Sequence, residues 1–399
     1  MEINSIYNIL MYSHDTYGLG HIRRTMAIAA SLKGCDINIL IITGSPIAGR
    51  FSFPKQIDFV RIPGMIKSSN EQYNPLSIKI DPSQALNIRK NIITTTVKTF
   101  LPDLFIVDKE PLGLKKEILP ALKWIKKKMP GTRIILGLRD IMDDAVVIRE
   151  NWKRKKIYQT IENFYNEIWV YGKKEFYDSA AEYAIPEAIE QKMIFTGYIP
   201  RKIPDKLSLN MVKKELQLNS KYKLIVVTAG GGGDGFEIFD TFLSMLEIKP
   251  FPNIFSILIT GPLMPDSYKK NIFERSEKLG IQSFSFYSKM EELFKAADIV
   301  ISMGGYNTLC EIISQQTMSL IIPRETPRLE QLLRARIFHK NNMADYMPWS
   351  DLSVHNLYQK ITSLFKNSRR FEKQLASFQM TGLDVIKKRI EFFKNEYKK

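Results

Sequence analysis

The segment ISMGGYNTLCEII at 301–313 runs a strand-like apolar stretch into Gly304 and Gly305 and then into a helix-like stretch that carries Glu311. Glycine lets backbone N–H groups come close to a ligand, and the first turn of a helix offers unpaired donors with a partial positive charge. Phosphate oxygens suit that arrangement. Glu311, nearly two turns into the helix, presents two acceptor oxygens to a pair of neighbouring hydroxyls. A diphosphate together with vicinal hydroxyls describes a nucleotide. A second glycine loop, TAGGGGDG at 228–235, includes Gly232 and Gly233. A third, SHDTYGLGHIRR at 13–24, gathers His14, Asp15, Gly18, Gly20, His21, Arg23 and Arg24, and with them two of the chain's four histidines. At a helix N-terminus an imidazole is kept neutral and can act as a base, with Asp15 as the second candidate; the other reading of His21 is a histidine that only closes its helix. Further on, Glu330 and Gln331 open a helix after a Pro/Arg-rich loop and pair an acid with an amide, which suits sugar hydroxyls.

Other chemistries are missing from these loops. None has the Gly-Lys-Ser/Thr of a phosphate-binding Walker loop, and Arg23 and Arg24 stand where a dinucleotide fingerprint has its third glycine. There is no Gly-x-Ser-x-Gly elbow and no Asp-x-Asp triplet. The acidic run DIMDD at 140–144 lies between Arg139 and Arg149 and reads as a structural ion-pair cluster. Cys35 and Cys310, far apart, supply neither a disulfide framework nor zinc spacing. The reading calls for no metal and no cofactor, and for a reducing cytoplasm.

The elements that must hold these residues alternate along all 399 residues. Short apolar strands are expected at YNILMYS, INILIIT, IDFVRI, LFIVD, RIILGL and IWVYG, with helices near 21–33, 83–100, 114–129 and 148–164. After the proline-punctuated TGYIPRKIPDK the pattern restarts at KLIVVTAGGGG and continues through FSILITG, SFSFY, DIVISM and MSLIIP. Continuous apolar strands separated by helices imply parallel sheets covered on both faces, and a restart implies a second domain. The expectation is an α/β protein of two doubly wound, Rossmann-like domains facing a cleft: residues 1–199, a linker at 200–206, and residues 207–399, with the last helix packing back on the first domain. In such sheets ligands sit beyond the carboxyl ends of the strands, where the glycine loops fall.

With these elements in place, the sequence resembles the GT-B-fold glycosyltransferases, and its second half is similar to family 28, which includes the N-acetylglucosaminyltransferase that completes lipid II. The similarity rests on FTGYIPR, the loop 229–235, FYSKMEELFKAADIVISMGGYNTLCEII and IIPRETPRLEQLLRA, and spans most of residues 195–345. YSHDTYGLGHIRRTMAIAASL looks most like a group of predicted bacterial and archaeal glycosyltransferases. The resemblance implies that Glu311 binds the ribose, that Gly304, Gly305, Asn307 and Thr308 hold the diphosphate with Gly232 and Gly233, and that the backbone near Tyr287 meets the base. It implies that Arg201 and Arg324 reach the donor and that Glu330 and Gln331 bind its sugar. It places His14, Gly18, Gly20, Arg23 and Arg24 on the acceptor side, with His21 facing the acceptor as base or anion ligand. The implied partners are a nucleotide-sugar donor, with UDP as the expected base, and a hydroxyl acceptor such as a lipid-linked or polysaccharide precursor. Glu330 stands where the lipid II enzyme has glutamine, and Gly232 where a serine is expected, so the donor sugar and one phosphate contact stay open.

Two rival functions share these residues: a nucleotide-sugar hydrolase or epimerase, and a non-catalytic nucleotide-sugar or polyanion binder. Charge bears on the last. The net charge is +16, and residues 109–156 hold 14 Lys/Arg against 6 Asp/Glu. No nucleic-acid-binding motif accompanies that patch, so nucleic acid is not the expected partner. In LGLKKEILPALKWIKKKM the apolar Leu114, Ile118, Leu122 and Ile125 are expected to face the sheet while lysines cover the rest, with a break at Pro120. An anionic membrane surface at the inner face is a second partner consistent with this pattern, alongside a merely solvated lysine face.

Overall fold

The computed structural model describes residues 6–14, 20–32, 34, 36–46, 48–50, 53–67, 73–218, 221–367 and 369–397. Asp15 and Gly18 lie outside them. The chain divides into two units, one of Met1–Ile199 with Thr381–Lys399 and one of Pro200–Met380.

The first unit is built on a parallel sheet of β1 (Tyr7–Ser13), β2 (Ile37–Thr43), β3 (Ile57–Arg61), β6 (Leu104–Asp108), β7 (Arg133–Arg139), β8 (Glu167–Tyr171) and β9 (Met193–Phe195). Between β3 and β6 a small antiparallel pair, β4 (Met65–Lys67) and β5 (Tyr73–Pro75), stands apart. The sheet order is β3-β2-β1-β6-β7-β8-β9, so the winding reverses between β1 and β6. At that reversal the carboxyl ends of two neighbouring strands open away from each other's connections, which is where a doubly wound sheet leaves room for a ligand. β1 and β6 are buried along nearly their whole length, as an apolar run covered on both faces requires.

The helices follow local chemistry. Asp81 caps Pro82–Phe100 by accepting from the Ser83 N–H, and proline at the first helical position loses no needed donor. The lysine-rich stretch forms two pieces, a short 3₁₀ turn at Leu114–Lys116 and a helix at Leu119–Lys128, which places Pro120 in the first turn rather than at a kink. Leu114, Ile118, Leu122 and Ile125 are all buried. The expected helix at 148–164 is likewise two helices, Ala145–Arg154 and Ile157–Phe164, because Lys156 takes a left-handed conformation between them. The acidic run before them makes structural bonds. Asp144 caps the first helix through the Val146 and Val147 N–H groups, and the buried Asp140 accepts from the Tyr198 hydroxyl at 2.5 Å.

The second unit repeats the plan with β10 (Lys223–Thr228), β11 (Ile254–Ile259), β12 (Gln282–Phe284), β13 (Ile299–Ser302), β14 (Ser319–Ile321) and β15 (Asp345–Tyr346), all parallel, in the order β12-β11-β10-β13-β14-β15. Its reversal lies between β10 and β13. The expected boundaries need correction: residues 200–206 belong to this unit, and it ends at Met380 instead of 399. The helix Gly382–Tyr397 belongs to the first unit, where it packs on the helix Gly20–Ser31. It is tied there by Arg389 to Glu167, by Lys394 to Asp36 and by Glu396 to Arg133.

Candidate functional site

At the reversal of the first sheet, β1 delivers His14 and the helix Gly20–Ser31 delivers His21 and Arg24, while β6 ends on Asp108. Asp108 is the partner the sequence reading missed. It binds His21 Nδ1 with one oxygen and the Arg24 guanidinium, at 2.5 Å, with the other. All three side chains are buried or nearly so, and Arg24 also lies over the Tyr171 ring. Burial pushes the His21 imidazole down to about 4, with Asp108 opposing that shift. Arg24 and His21 hold the Asp108 carboxyl well below the usual range against its burial. At neutral pH the result is an ionised carboxylate accepting a hydrogen bond from the N–H of a neutral histidine, whose Nε2 keeps its lone pair. That arrangement can accept a proton and stabilise the imidazolium formed. Its signal in the sequence was an aspartate closing the strand LFIVD. Arg23 is half-buried on the same helix turn, and Gly20 begins the helix.

His14 has a separate support. Its Nδ1 lies 3.3 Å from the Tyr12 hydroxyl, which donates to Glu117 at 2.5 Å; Arg89 grips Glu117 through two bonds at 2.5 and 2.6 Å and the Pro63 carbonyl through a third. The rings of His14 and His21 stand edge to face, 6.1 Å between centroids. Burial, with Lys109 next, holds His14 well below the ordinary imidazole range.

In the second unit the corresponding place is lined by backbone. The helix Tyr306–Ser314 follows Gly305, which has no side chain to cap it. Gly304 takes φ +72, and a Cβ there would meet Ile321 at 2.5 Å; at Gly305 a Cβ would meet nothing within 4 Å. The space over Gly305 is open. Gly230 of the other loop stands 3.5 Å from Thr308 Oγ1 by the same measure, which brings the two loops side by side. Gly232 has a steric reason of its own: at φ +91 a Cβ would lie 2.3 Å from the Thr260 carbonyl, so a serine is excluded there by the neighbouring loop. Gly233 is half-buried beside it.

Arg201, Asn307 and Glu311 come together. The Arg201 guanidinium donates to Asn307 at 2.8 Å, and its Nε lies 3.9 Å from Glu311 Oε1, while its backbone N–H is held by Ser314. A second cluster forms around Arg324, which pairs with Glu330 at 2.8 Å and with Asp234 of the glycine loop at 2.5 Å; its backbone N–H donates to Gln331 Oε1. Asp234 was not foreseen, nor was the fully buried Arg334, which donates to the Gly304 carbonyl at 3.2 Å and lies over Tyr306. Tyr287 does not join either cluster by its side chain. It packs in the core, and its hydroxyl reaches Glu215, so only its backbone follows the carboxyl end of β12 into the loop.

Residues 224–390 match the Glycosyltransferase family 28 C-terminal domain. The UDP-N-acetylglucosamine--N-acetylmuramyl-(pentapeptide) pyrophosphoryl-undecaprenol N-acetylglucosamine transferase of Streptococcus agalactiae is 29% identical over 188 residues, 46% of this chain and 47% of the relative. The chain thus spans about half the length of the curated relatives it matches. Among solved structures, a glycosyltransferase from Rickettsia africae superposes with TM-score 0.63 at 14% identity, covering 98% of each chain. The UDP-GlcNAc 2-epimerase from Neisseria meningitidis bound to UDP-GlcNAc superposes with TM-score 0.60 at 14% identity, covering 95% of this chain and 98% of that one. These likenesses bear out the expected fold of two Rossmann-like domains and the resemblance to family 28.

Proposed function

We propose that the protein is a glycosyltransferase that moves a sugar from a nucleoside diphosphate, with UDP as the favoured nucleotide, to a hydroxyl of a lipid-linked or polysaccharide acceptor. The observation that carries this reading is the uncapped helix N-terminus at Gly305, with Asn307, Glu311 and Arg201 gathered on it, inside the segment that matches the family 28 domain. In this reading the first-turn amides and Thr308 take the diphosphate and Glu311 takes the ribose hydroxyls. The base lies along the backbone near Tyr287. Glu330 and Gln331 take the donor sugar, held in place by Arg324.

The acceptor hydroxyl attacks the anomeric carbon and gives its proton to Nε2 of His21. The bond from that carbon to the diphosphate breaks, and its electron pair leaves with the nucleoside diphosphate. Asp108 keeps the His21 N–H on Nδ1 and offsets the charge of the imidazolium. Helix amides, Arg201 and Arg324 meet the negative charge on the leaving group, so the proposed reaction is independent of metal. A hydrolase or epimerase would use the same donor residues, and the likeness to an epimerase in fold keeps that reading beside the first.

The test is to screen UDP-, GDP- and dTDP-sugars for thermal stabilisation and then to follow each binder with and without lipid-linked and glycan acceptors. The proposal requires stabilisation by one nucleotide series and nucleotide release that depends on acceptor. Release or epimerisation at full rate without acceptor would replace it with the second reading.

The proposed location is cytoplasmic, peripheral at the inner face of the membrane. Among the described residues no helix is long and apolar enough to cross a membrane. Lys115, Lys116, Lys123, Lys126, Lys127 and Lys128 are exposed, and Lys126 also donates to the Asn163 carbonyl at 2.9 Å. Each exposed lysine near an anionic bilayer contributes about 1 kcal/mol. Flotation with anionic vesicles should fall with salt and with Lys123→Glu and Lys127→Glu, and recovery equal to that with neutral vesicles would overturn the membrane assignment.

A further inference from the structure

The proposed reaction uses His21 and leaves the four-residue network beside it without a task. Its proton inventory is fixed by the charges at its buried end. Glu117 is gripped by two Arg89 bonds and is therefore the anion that the Tyr12 hydroxyl donates to, at 2.5 Å. A phenol has a single hydrogen. Having given it to Glu117, Tyr12 can only accept from its other neighbours, the Leu114 N–H at 3.4 Å and His14 Nδ1 at 3.3 Å. His14 is thus fixed as the Nδ1–H tautomer, with its lone pair on Nε2, and Nε2 has no hydrogen-bond partner among the described residues. His21 is fixed the same way by Asp108. Two buried imidazoles, 6.1 Å between centroids, therefore each keep Nε2 as a proton acceptor at the reversal of the sheet.

Resting on the glycosyltransferase reading, we propose that His14 is an acceptor-binding residue whose Nε2 receives the hydrogen of a second hydroxyl, next to the one His21 deprotonates, so that the acceptor is recognised as a sugar-like vicinal diol. Tyr12, Glu117 and Arg89 are positioning residues that act through His14. A core histidine needs one partner and no particular tautomer. Here a phenol and an arginine–glutamate ion pair removed from water define one, and burying such a pair is costly unless it fixes something.

Four histidines in the whole chain make the tautomers directly readable. Long-range proton–nitrogen spectra of histidine-labelled full-length protein at pH 7 should show His14 and His21 as Nδ1–H, and Tyr12→Phe, which keeps the volume, should release His14 alone toward the Nε2–H form. With UDP saturating, methyl glucopyranoside as the diol probe should shift Nε2 of both histidines, while tetrahydropyran, which has the ring but no hydroxyl, should shift neither. His14→Gln should raise acceptor KM about tenfold or more and change kcat less than threefold. An Nε2–H His14 in the wild type, or a response of His21 without His14, overturns this inference and leaves the glycosyltransferase reading standing. Silence of both histidines with UDP bound overturns the diol assignment; failure of every nucleotide to bind removes the reading on which it rests.

Discussion

The two domains share one plan and fill the same position in it with opposite materials. At the reversal of the first sheet stand ionisable side chains, His14, His21, Arg24 and Asp108, all held by further buried polar groups. At the reversal of the second stand glycines and the bare start of a helix, with charged side chains gathered around them. Under the proposed function, the difference follows from what each would bind. A diphosphate is the same anion in every turnover, and fixed backbone dipoles serve it without any change of protonation. Moving a proton needs a group that can take one, and such a group must be tuned by burial and by a paired charge. The first domain therefore puts its buried ions at the reversal itself, whereas the second adds the conformational cost of glycine to buried ions of its own, Arg201, Glu311, Glu330 and Arg334.

That contrast can be broken at its most expensive point. Asp108→Ala leaves Arg24 buried without this carboxylate, and the expected loss of about 3–5 kcal/mol in denaturant melts is that of a buried pair deprived of one partner. A loss below ~1 kcal/mol would mean that the cluster is not the buried, paired charge centre described. His21→Ala should lower turnover roughly a hundredfold or more while leaving UDP affinity nearly intact, as loss of a general base requires. Initial rates and calorimetry on the same variant separate the two.

The histidine also sets a pH signature. Because its folded value is about 4 against an ordinary 6.5, the unfolded chain binds the extra proton first as pH falls. This contribution to stability is complete above pH 6.5 and is lost as pH drops toward 4. Over that window the turnover of a neutral base should stay flat down to about 5 and decline near 4. An acid limb near 6.5 would show a solvated histidine instead.

The second domain should answer more mildly. Glu311→Ala is expected to weaken UDP binding by roughly 1–3 kcal/mol, the cost of ribose hydroxyls and partners left unpaired. Calorimetry checks it, and unchanged affinity would remove Glu311 from the site. Gly305→Ala probes the bare backbone alone. A Cβ there meets nothing in the protein, so stability should move by less than ~0.5 kcal/mol while the affinity for UDP falls. A Gly305→Ala protein that binds UDP as tightly as wild type would mean that no phosphate approaches that turn.

The contrast between the domains also explains what was legible before any coordinates. Strands such as YNILMYS and LFIVD were readable to the residue because a buried parallel strand has no choice but a continuous apolar run. The turn at Gly304 and Gly305 into a helix was readable because such a turn leaves glycine in the sequence. Asp108 was not. It lies 87 residues from His21, and no local pattern distinguishes an aspartate paired with a distant histidine from one that merely ends a strand. Arg89 and Glu117 were invisible for the same reason: a lysine-rich, amphipathic stretch gives no hint that one of its acids is gripped by an arginine 28 residues upstream. The steric reason for Gly232 was not legible either, since the loop it must clear belongs to residues 260–261.

The return of the helix Gly382–Tyr397 to the first unit has a consequence in time rather than in space. The second domain's residues 200–380 leave the ribosome as one uninterrupted stretch, so that domain needs no segment from outside itself to fold. The first domain begins to emerge earlier and yet must wait for the helix that seals Glu167, Asp36 and Arg133. Of the two domains, the one that is translated first is finished last, and through that interval the unit that bears His14, His21 and Asp108 lacks its closing helix.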